Sequence, residues 1–218
     1  REVHSVPLKC LRSQIEAVVD DIGVDVAKTG MLGSAEVIET VADCIDECEI
    51  TPLVIDPVMI STSGHRLLDV DAESSLREEL FPLATVISPN IFEAEALCEI
   101  DIEAIGGMKK AAHLLFQMGP DSVIIKGGHL SGEVVDLFYD GEEFFEIEGR
   151  RINTTNTHGS GCTHSAALAT FLARGYGMVD AVRFARNAVH MCIEHSLDLG
   201  KGSGPVNQQA ISRSKIEE

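Results

Sequence analysis

The sequence contains no tryptophan, only two tyrosines, and about half as many basic as acidic residues. Its 17 lysines and arginines against 35 aspartates and glutamates give a formal net charge of −18 at pH 7. Because such a surface repels phosphate backbones and anionic headgroups, nucleic-acid and membrane-surface roles are disfavoured. No apolar run approaches the roughly 18 residues of a membrane span. We therefore expect a cytoplasmic protein that binds neither nucleic acid nor membrane.

The six cysteines include no C-x-x-C pair, and a chain of 218 residues can bury a core without disulfides. We therefore expect reduced thiols. Cys44 and Cys48 lie four residues apart in a helical pattern and could share a metal ion. No histidine or cysteine follows them at a zinc-like spacing, which favours two structural thiols.

The periodicity of apolar residues predicts helices that alternate with short strands. We expect helices near residues 8–22, 34–45, 76–80, 90–98, 108–118, 161–174 and 178–197. We expect strands at residues 24–30, 53–55, 85–88 and 122–126, and a β-hairpin of residues 134–139 and 143–147 around Asp140-Gly141. This alternation predicts an α/β fold with a mostly parallel central sheet, helices on both faces and a β-hairpin in the C-terminal half. We expect one domain over residues 1–207 and a polar tail over residues 208–218. Residues 24–27 and 53–55 have the apolar character of interior strands that await neighbours, not of edges blunted by lysine or proline.

Polar residues and glycines follow four of the predicted strands. They form the clusters Lys28-Thr29-Gly30, Asp56-Pro57, Ser88-Pro89-Asn90 and Lys126-Gly127-Gly128. Each cluster alone is weak evidence, because glycine and proline end many strands. In an open parallel sheet, however, ligands bind at the carboxyl ends of the strands. The four clusters together therefore predict a binding site at this edge.

A loop rich in small residues, 153–162, leads into the helix predicted at 161–174. The unpaired amides of such a helix N-terminus can hold an anion, such as a phosphoryl group in transfer. Cys162 falls in the first turn, where the helix dipole favours the thiolate form of a cysteine. A helix cap with tight packing and an inert thiol explains the same composition equally well.

The spacing Asn156-Thr157-His158-Gly159-Ser160-Gly161-Cys162 resembles the Asp-Thr-x-Gly-x-Gly-Asp signature of the ribokinase-like superfamily. A cysteine in place of the last aspartate is similar to the branch of hydroxymethylpyrimidine and hydroxymethylpyrimidine-phosphate kinases of thiamine biosynthesis, and to some pyridoxal kinases. The resemblance extends over nearly the whole chain. Its other segments are Asp21-Ile22-Gly23-Val24-Asp25, Lys28-Thr29-Gly30-Met31-Leu32, Asp56-Pro57-Val58-Met59, Thr62-Ser63-Gly64, Ser88 to Glu95, Lys126-Gly127-Gly128-His129 and Gly204-Pro205-Val206-Asn207.

The resemblance implies a role for each site residue, with ATP and Mg²⁺ as cofactors. Cys162 would be the base that accepts the proton of the substrate hydroxymethyl group. The implied anion hole is Gly159, Ser160 and Gly161; the implied ATP contacts are Lys126, Thr157, Gly159 and Gly161; the implied magnesium site is Asn90, Glu93 and Asp56; and the implied pyrimidine contacts are Met31 and Val58.

Structural explanations remain open for several of these residues. Asn90 and Glu93 have the spacing of a helix capping box, and Asp56 could simply form a turn before proline. Lys126 could be a solvated lysine at a strand end. Met31 and Val58 could be ordinary core residues. His65, His129 and His195 are expected to be surface or loop histidines.

The resemblance implies ATP-dependent phosphorylation of 4-amino-5-hydroxymethyl-2-methylpyrimidine and then of its monophosphate, in a homodimer. Pyridoxal phosphorylation is the close variant. Family members begin with a strand and a glycine-rich segment that precede residue 1 here, so we expect an N-terminally incomplete chain. A truncated, non-catalytic ligand-binding module is therefore a further alternative. A covalent role for Cys162 with His158 or His164 is disfavoured, because the glycine loop would have no purpose in it.

Overall fold

Six strands form one mixed sheet in the computed structural model, which describes residues 4–59, 67–69, 71–128 and 134–213. The strands are β1 (Ala27–Thr29), β2 (Leu53–Ile55), β3 (Val86–Ile87), β4 (Val123–Ile125), β5 (Val134–Tyr139) and β6 (Phe144–Gly149). They lie side by side in sequence order. The first four are parallel, and β5 and β6 continue the sheet as an antiparallel hairpin. The predicted mostly parallel sheet with its hairpin is therefore confirmed.

Helices connect the parallel strands and complete the C-terminal part of the chain. They are α1 (Leu8–Asp21), α2 (Ala35–Glu47), α3 (Ala72–Ser75) with a π-helical turn (Leu76–Leu80) and a 3₁₀ turn (Phe81–Leu83), α4 (Ile91–Cys98), α5 (Ile105–Phe116), α6 (Ser160–Ala173) and α7 (Met178–Glu194). The sequence located all of these helices except the short α3 and the 3₁₀ turn, with bounds that differ by a few residues. None of the helices in the described ranges is long and apolar enough to cross a membrane.

Side chains that alternate along the strands bury both faces of the sheet. Leu53 and Ile55 of β2 join a large core beneath α2, α4 and α5, whereas Val54 joins a second core beneath α6 and α7. Helices therefore cover both faces, as predicted. Because β2 and β4 are apolar and buried on both sides, their sequences are continuous apolar runs.

Two parts of the described chain bear on the expected domain limits. Strand β1 lies at an edge of the sheet, and within the described residues it pairs only with β2. The first part of the segment expected as a polar tail forms a 3₁₀ helix, Gln208–Arg213, in which Ala210 is 8% exposed. A hydrogen bond holds this helix to α6: Gln208 Nε2 donates to Thr163 Oγ1 at 3.2 Å. The six cysteines are free thiols, and Cys44 is buried as a structural residue.

Candidate functional site

The polar strand ends predicted from the sequence meet at one edge of the sheet. The Asp56 amide donates to the carbonyl of Thr29 at 3.1 Å, and the Lys126 amide donates to the carbonyl of Pro89 at 2.9 Å. Asn90 and Lys126 form an isolated parallel bridge. These backbone contacts continue the sheet by one or two residues, so the ends of β1 to β4 lie side by side.

The alternation along the strands also selects the face on which the charges lie. Val54 and Ile124 face α6 and α7. Because every second side chain along a strand points to the same face, Asp56 lies on the face of Val54 and Lys126 lies on the face of Ile124. Their contacts agree: Lys126 Nζ donates to Asp56 Oδ1 at 2.6 Å, and Ser165 Oγ of α6 donates to Asp56 Oδ2 at 3.3 Å.

Lys126 and Asp56 form a buried ion pair in which the side chains are 13% and 2% exposed. Burial disfavours the charged form of Lys126, but the attraction of Asp56 and then of Glu93 exceeds it, and the pKa of Lys126 is raised. The site therefore holds one fixed positive charge. Lys126 is not the solvated lysine that the sequence left open.

Asn90 and Glu93 form a capping box at the start of α4. Asn90 Oδ1 accepts a hydrogen bond from the Glu93 amide at 3.0 Å, and Glu93 Oε2 accepts one from the Asn90 amide at 2.8 Å. Glu93 is 4% exposed. Burial raises the pKa of Glu93 to about 7, although the charge of Lys126 opposes this shift. Asn90 and Glu93 therefore form the capping box that their spacing allowed, and this arrangement places a second carboxyl group beside Lys126 and Asp56.

The glycine loop enters α6 directly over this ion pair. Gly159 has φ +87°, a left-handed conformation that side chains rarely adopt. A Cβ atom on Gly161 would lie 3.4 Å from Lys126 Nζ and 3.8 Å from Asp56 Oδ2. The amides of Gly161 and Cys162 have no hydrogen-bond acceptor within the described residues. The helix therefore begins with donors available beside the ammonium group.

A segment near the C-terminus supports the glycine loop from the side. The His158 amide donates to the carbonyl of Gly204, and the Val206 amide donates to the carbonyl of His158, both at 3.1 Å. Asn156 Oδ1 accepts a hydrogen bond from the Gly204 amide at 3.1 Å. The sequence supplied residues 204–207 only as a matching motif. In the structure, hydrogen bonds from this segment hold the glycine loop in place.

The other predicted site residues lie around this centre. Cys162 is exposed in the first turn of α6, and Thr157 accepts a hydrogen bond from the Ser160 amide at 3.1 Å. Val58 lies two residues after Asp56 and is half-buried, whereas Met31 follows β1 and is 48% exposed. Neither Val58 nor Met31 is a fully buried core residue. The motif Thr62-Ser63-Gly64, His65 and His129 lie outside the described residues.

The histidines near Cys162 do not form a nucleophile relay in the described structure. His164 is 3% exposed, and neither ring nitrogen has a hydrogen-bond partner among the described residues. Burial lowers the pKa of His164 to about 4, so its ring is neutral at neutral pH. His195 lies at the exposed end of α7, where its Nδ1 is 3.1 Å from the carbonyl oxygen of Met191.

Sequence reasoning missed three residues that surround the ion pair. Ser165 holds Asp56, Asp136 of β5 accepts a hydrogen bond from the Gly127 amide, and Arg186 of α7 lies 3.5 Å from Asp136. The sequence could have indicated Asp136, because it is the one charged residue in the apolar run Val134–Tyr139. No comparable signal indicated Ser165 or Arg186, whose partners are distant in sequence.

A fixed ammonium group, two buried carboxyl groups and a glycine loop at a helix N-terminus suit the binding of a phosphoryl group. They lie at the carboxyl edge of a sheet whose fold is ribokinase-like. The chain belongs to the phosphomethylpyrimidine kinase family, which matches residues 1–207.

Curated relatives with the same family description are similar over nearly all of the chain. The hydroxymethylpyrimidine/phosphomethylpyrimidine kinase of Bacillus subtilis is 42% identical, and the match covers 98% of this chain and 80% of the relative. A chloroplastic thiamine biosynthetic bifunctional enzyme of Arabidopsis thaliana is also 42% identical over 94% of this chain. This chain spans 38% and 40% of the bifunctional enzymes of rice and Arabidopsis.

Solved structures with this fold include kinases for two kinds of substrate. An ADP complex of Bacillus subtilis pyridoxal kinase superposes with a TM-score of 0.90 at 36% identity, covering 98% of this chain and 80% of that one. A phosphomethylpyrimidine kinase of Clostridium difficile superposes with a TM-score of 0.78 at 36% identity, covering 87% and 78%.

Proposed function

We propose that this chain transfers the γ-phosphoryl group of ATP to the hydroxymethyl oxygen of 4-amino-5-hydroxymethyl-2-methylpyrimidine, and then to the phosphate of the resulting monophosphate. The observation that carries the proposal is the position of Gly161 directly over the ion pair of Lys126 and Asp56. Anionic oxygens placed there would meet an ammonium group and free backbone amides at once. The names of the curated relatives supply the substrate class.

The proposed anion site consists of the backbone of Gly159, Ser160 and Gly161 with Lys126 and Thr157. In phosphoryl transfer the transferred group carries its charge on three oxygens, so catalysis depends mainly on positioning and charge stabilisation. The amides at the start of α6 need no reorganisation to meet that charge, because the helix and residues 204–206 hold them in place. Lys126 is the proposed contact to the ATP phosphates.

Cys162 is the proposed general base. In the first transfer the substrate O–H bond breaks, its proton moves to the Cys162 thiolate, and the oxygen bonds to the γ-phosphorus as ADP leaves. The thiol is exposed in the first turn of α6, one residue after Gly161. A monophosphate substrate presents an ionised oxygen, which reduces the need for a base in the second transfer.

Asn90, Glu93 and Asp56 have the oxygen donors that Mg²⁺ prefers. Their oxygens already carry hydrogen bonds, and no three acidic, histidine or cysteine side chains in the described part of the chain converge as a metal cluster. Among the described residues, however, no cationic side chain forms an ion pair with the buried Glu93, and its raised pKa indicates an environment that an added cation would relieve. These residues therefore fit a magnesium ion held mainly through water and nucleotide phosphates. Such an ion would neutralise phosphate charge.

Met31 and Val58 are the proposed apolar contacts to the flat pyrimidine ring. They follow β1 and β2 at the same edge as Asp56. Incomplete burial leaves part of both side chains available to a ligand. Apolar walls with a few fixed polar groups are typical of small-molecule sites.

An ADP-release assay with separate substrates tests this function. We expect turnover with hydroxymethylpyrimidine and with its phosphate, each dependent on Mg²⁺. Cys162→Ala should lower kcat on hydroxymethylpyrimidine by about 10²- to 10⁴-fold and leave the Kd for ADP unchanged. ADP release that is independent of either pyrimidine would contradict the proposal, and so would an alanine variant with the kcat of the unmodified protein.

Pyridoxal phosphorylation is the second candidate, favoured by the TM-score of 0.90 with a pyridoxal kinase. Both substrates carry a hydroxymethyl group on a flat nitrogen heterocycle, so one anion site and one base could serve either. Pyridoxal in the same assay separates the two. A kcat/KM for pyridoxal above that for hydroxymethylpyrimidine would reverse the assignment.

A further inference from the structure

Asp136 is a buried acid that the proposed chemistry does not use. It is 2% exposed within β5, between the apolar residues Val135 and Leu137. A carboxylate in such surroundings is costly unless it is paired and hydrogen-bonded. Both of its oxygens have partners: one accepts a hydrogen bond from the turn that follows Lys126, and the other lies beside an arginine of α7.

The first oxygen of Asp136 holds the backbone of that turn. Oδ1 accepts a hydrogen bond from the Gly127 amide at 2.8 Å in a buried setting. Gly127 also lies so close to β5 that a Cβ atom there would overlap the carbonyl oxygen of Val135. The turn therefore packs closely against β5. The Asp136 side chain accepts the hydrogen bond of the Gly127 amide in place of a backbone carbonyl of the neighbouring strand.

The second oxygen of Asp136 is held from α7. Arg186 Nη1 lies 3.5 Å from Asp136 Oδ2, and the arginine side chain is only 12% exposed. Its path crosses the end of β6, where a Cβ atom on Gly149 would overlap the guanidinium group. A glycine at that position lets a residue of α7 reach a carboxylate inside the sheet.

The register of β4 and β5 places Asp136 beside Lys126. The β4–β5 pairs Ile124↔Phe138 and Ile125↔Leu137, continued by one residue, place Asp136 opposite Lys126 on the face covered by α6 and α7. Residues opposite each other in an antiparallel pair point to the same side. Asp136 therefore acts on Lys126 through its charge as well as through the backbone of the next residue.

We infer that Asp136, fixed by Arg186, is a positioning residue that keeps the Lys126–Gly127 turn in place, so that the ammonium group stays beneath Gly161. In this role it acts through Lys126 and the Gly127 amide and not through contact with nucleotide or pyrimidine. The inference rests on the proposed function for its kinetic consequence, but its structural part is independent of it. Loss of Asp136 should thus affect the phosphate side of the site more than the pyrimidine side.

Kinetics of three variants test this role. Asp136→Ala should lower kcat/KM for ATP by about 10- to 100-fold, the range for a small misplacement of a reacting group, with KM for the pyrimidine changed less than about twofold. Asp136→Asn retains an acceptor for the Gly127 amide and should recover part of the loss. Tyr139→Phe is the matched control, because it removes another 2.8 Å hydrogen bond of β5, to the carbonyl of Gly141, away from Lys126. Its kinetic constants should not change.

Amide exchange supplies a readout that does not depend on activity. The Gly127 amide should be protected in the unmodified protein and in Asp136→Asn, and should exchange at least about tenfold faster in Asp136→Ala. The Kd for ADP should rise by about tenfold in the same alanine variant. If the unmodified protein shows no turnover, the proposed function fails while exchange and ADP binding still decide the positioning role. Unchanged amide exchange at Gly127 in Asp136→Ala would overturn the inference, as would equal losses of kcat/KM for ATP and for the pyrimidine. If the alanine variant does not fold, Asp136→Asn is compared with Arg186→Gln. A kcat/KM for ATP no higher in Asp136→Asn than in Arg186→Gln would then overturn the inference.

Discussion

Gly161→Ala should separate the stability of the protein from its activity. Gly161 is the second residue of α6, and its φ does not lie in the left-handed region. An added Cβ would meet Lys126 Nζ at 3.4 Å and Asp56 Oδ2 at 3.8 Å, which are ordinary contact distances. The methyl group therefore fits the ligand-free protein but occupies the space where we place the phosphoryl group.

We expect the substitution to raise stability slightly or leave it unchanged, and to lower activity strongly. Alanine is favoured over glycine inside a helix by up to about 1 kcal/mol, so Gly161→Ala should leave Tm unchanged or raise it by about 2–4 °C. Loss of one donor site for a developing anion costs about 10²- to 10³-fold in kcat, and we expect a decrease of that order. Differential scanning calorimetry and the ADP-release assay measure the two effects.

Gly106→Ala is the matched control for this change. Gly106 is likewise the second residue of its helix, α5, and no neighbouring atom of the described residues lies within 4 Å of the Cβ position. It should gain a similar stability and keep full activity. An alanine at position 161 that retains activity within threefold would refute the assignment of the anion site to this backbone, and a large fall in Tm would refute the steric reasoning.

Three further predictions concern charges buried near the site. Glu93→Gln should shift the magnesium dependence of kcat to higher concentration, because it removes an anionic charge while it preserves the capping geometry; an unshifted curve with a lowered Tm would make Glu93 purely structural. The pKa of Glu93 is raised to about 7, so the folded state holds a proton that the unfolded state has released above about pH 4.5. Without divalent cations, ionisation of Glu93 should therefore lower stability by about 3 kcal/mol as pH rises from 4.5 through 7, a dependence that urea unfolding should find missing in Glu93→Gln. The pKa of His164 is lowered to about 4, so its contribution is present above pH 6.5 and is lost as pH falls through 4; unfolding of His164→Gln should show a weaker acid destabilisation, and an identical acid limb would contradict the buried neutral ring.

The sequence predicted features that depend on local periodicity. Continuous apolar runs such as Leu53–Ile55 predicted buried parallel strands, and the turn at Asp140-Gly141 predicted the hairpin. The strand-end clusters met because the carboxyl ends of parallel strands share one edge. The 3₁₀ helix Gln208–Arg213 depends on its hydrogen bond to α6, which local patterns do not encode.

Sequence reasoning proposed residues for the candidate site but not the contacts among them. Lys126 and Asp56 were each found at a strand end, yet nothing in a sequence separation of 70 residues indicates a 2.6 Å ion pair. For Asn90 and Glu93 the spacing allowed both a capping box and a metal pair, and the structure shows the capping box. The pair of Asp136 and Arg186 depends on packing between β5 and α7.

Direct detection of the transferred phosphoryl group tests the central claim. Phosphorus NMR of the protein with ATP, Mg²⁺ and hydroxymethylpyrimidine phosphate should show a pyrimidine diphosphate that forms at the same rate as ADP. The same spectra with Gly161→Ala should show that rate reduced by at least about 10²-fold. Inorganic phosphate in place of the diphosphate, or ATP that remains intact, would contradict a kinase built on this glycine loop and ion pair.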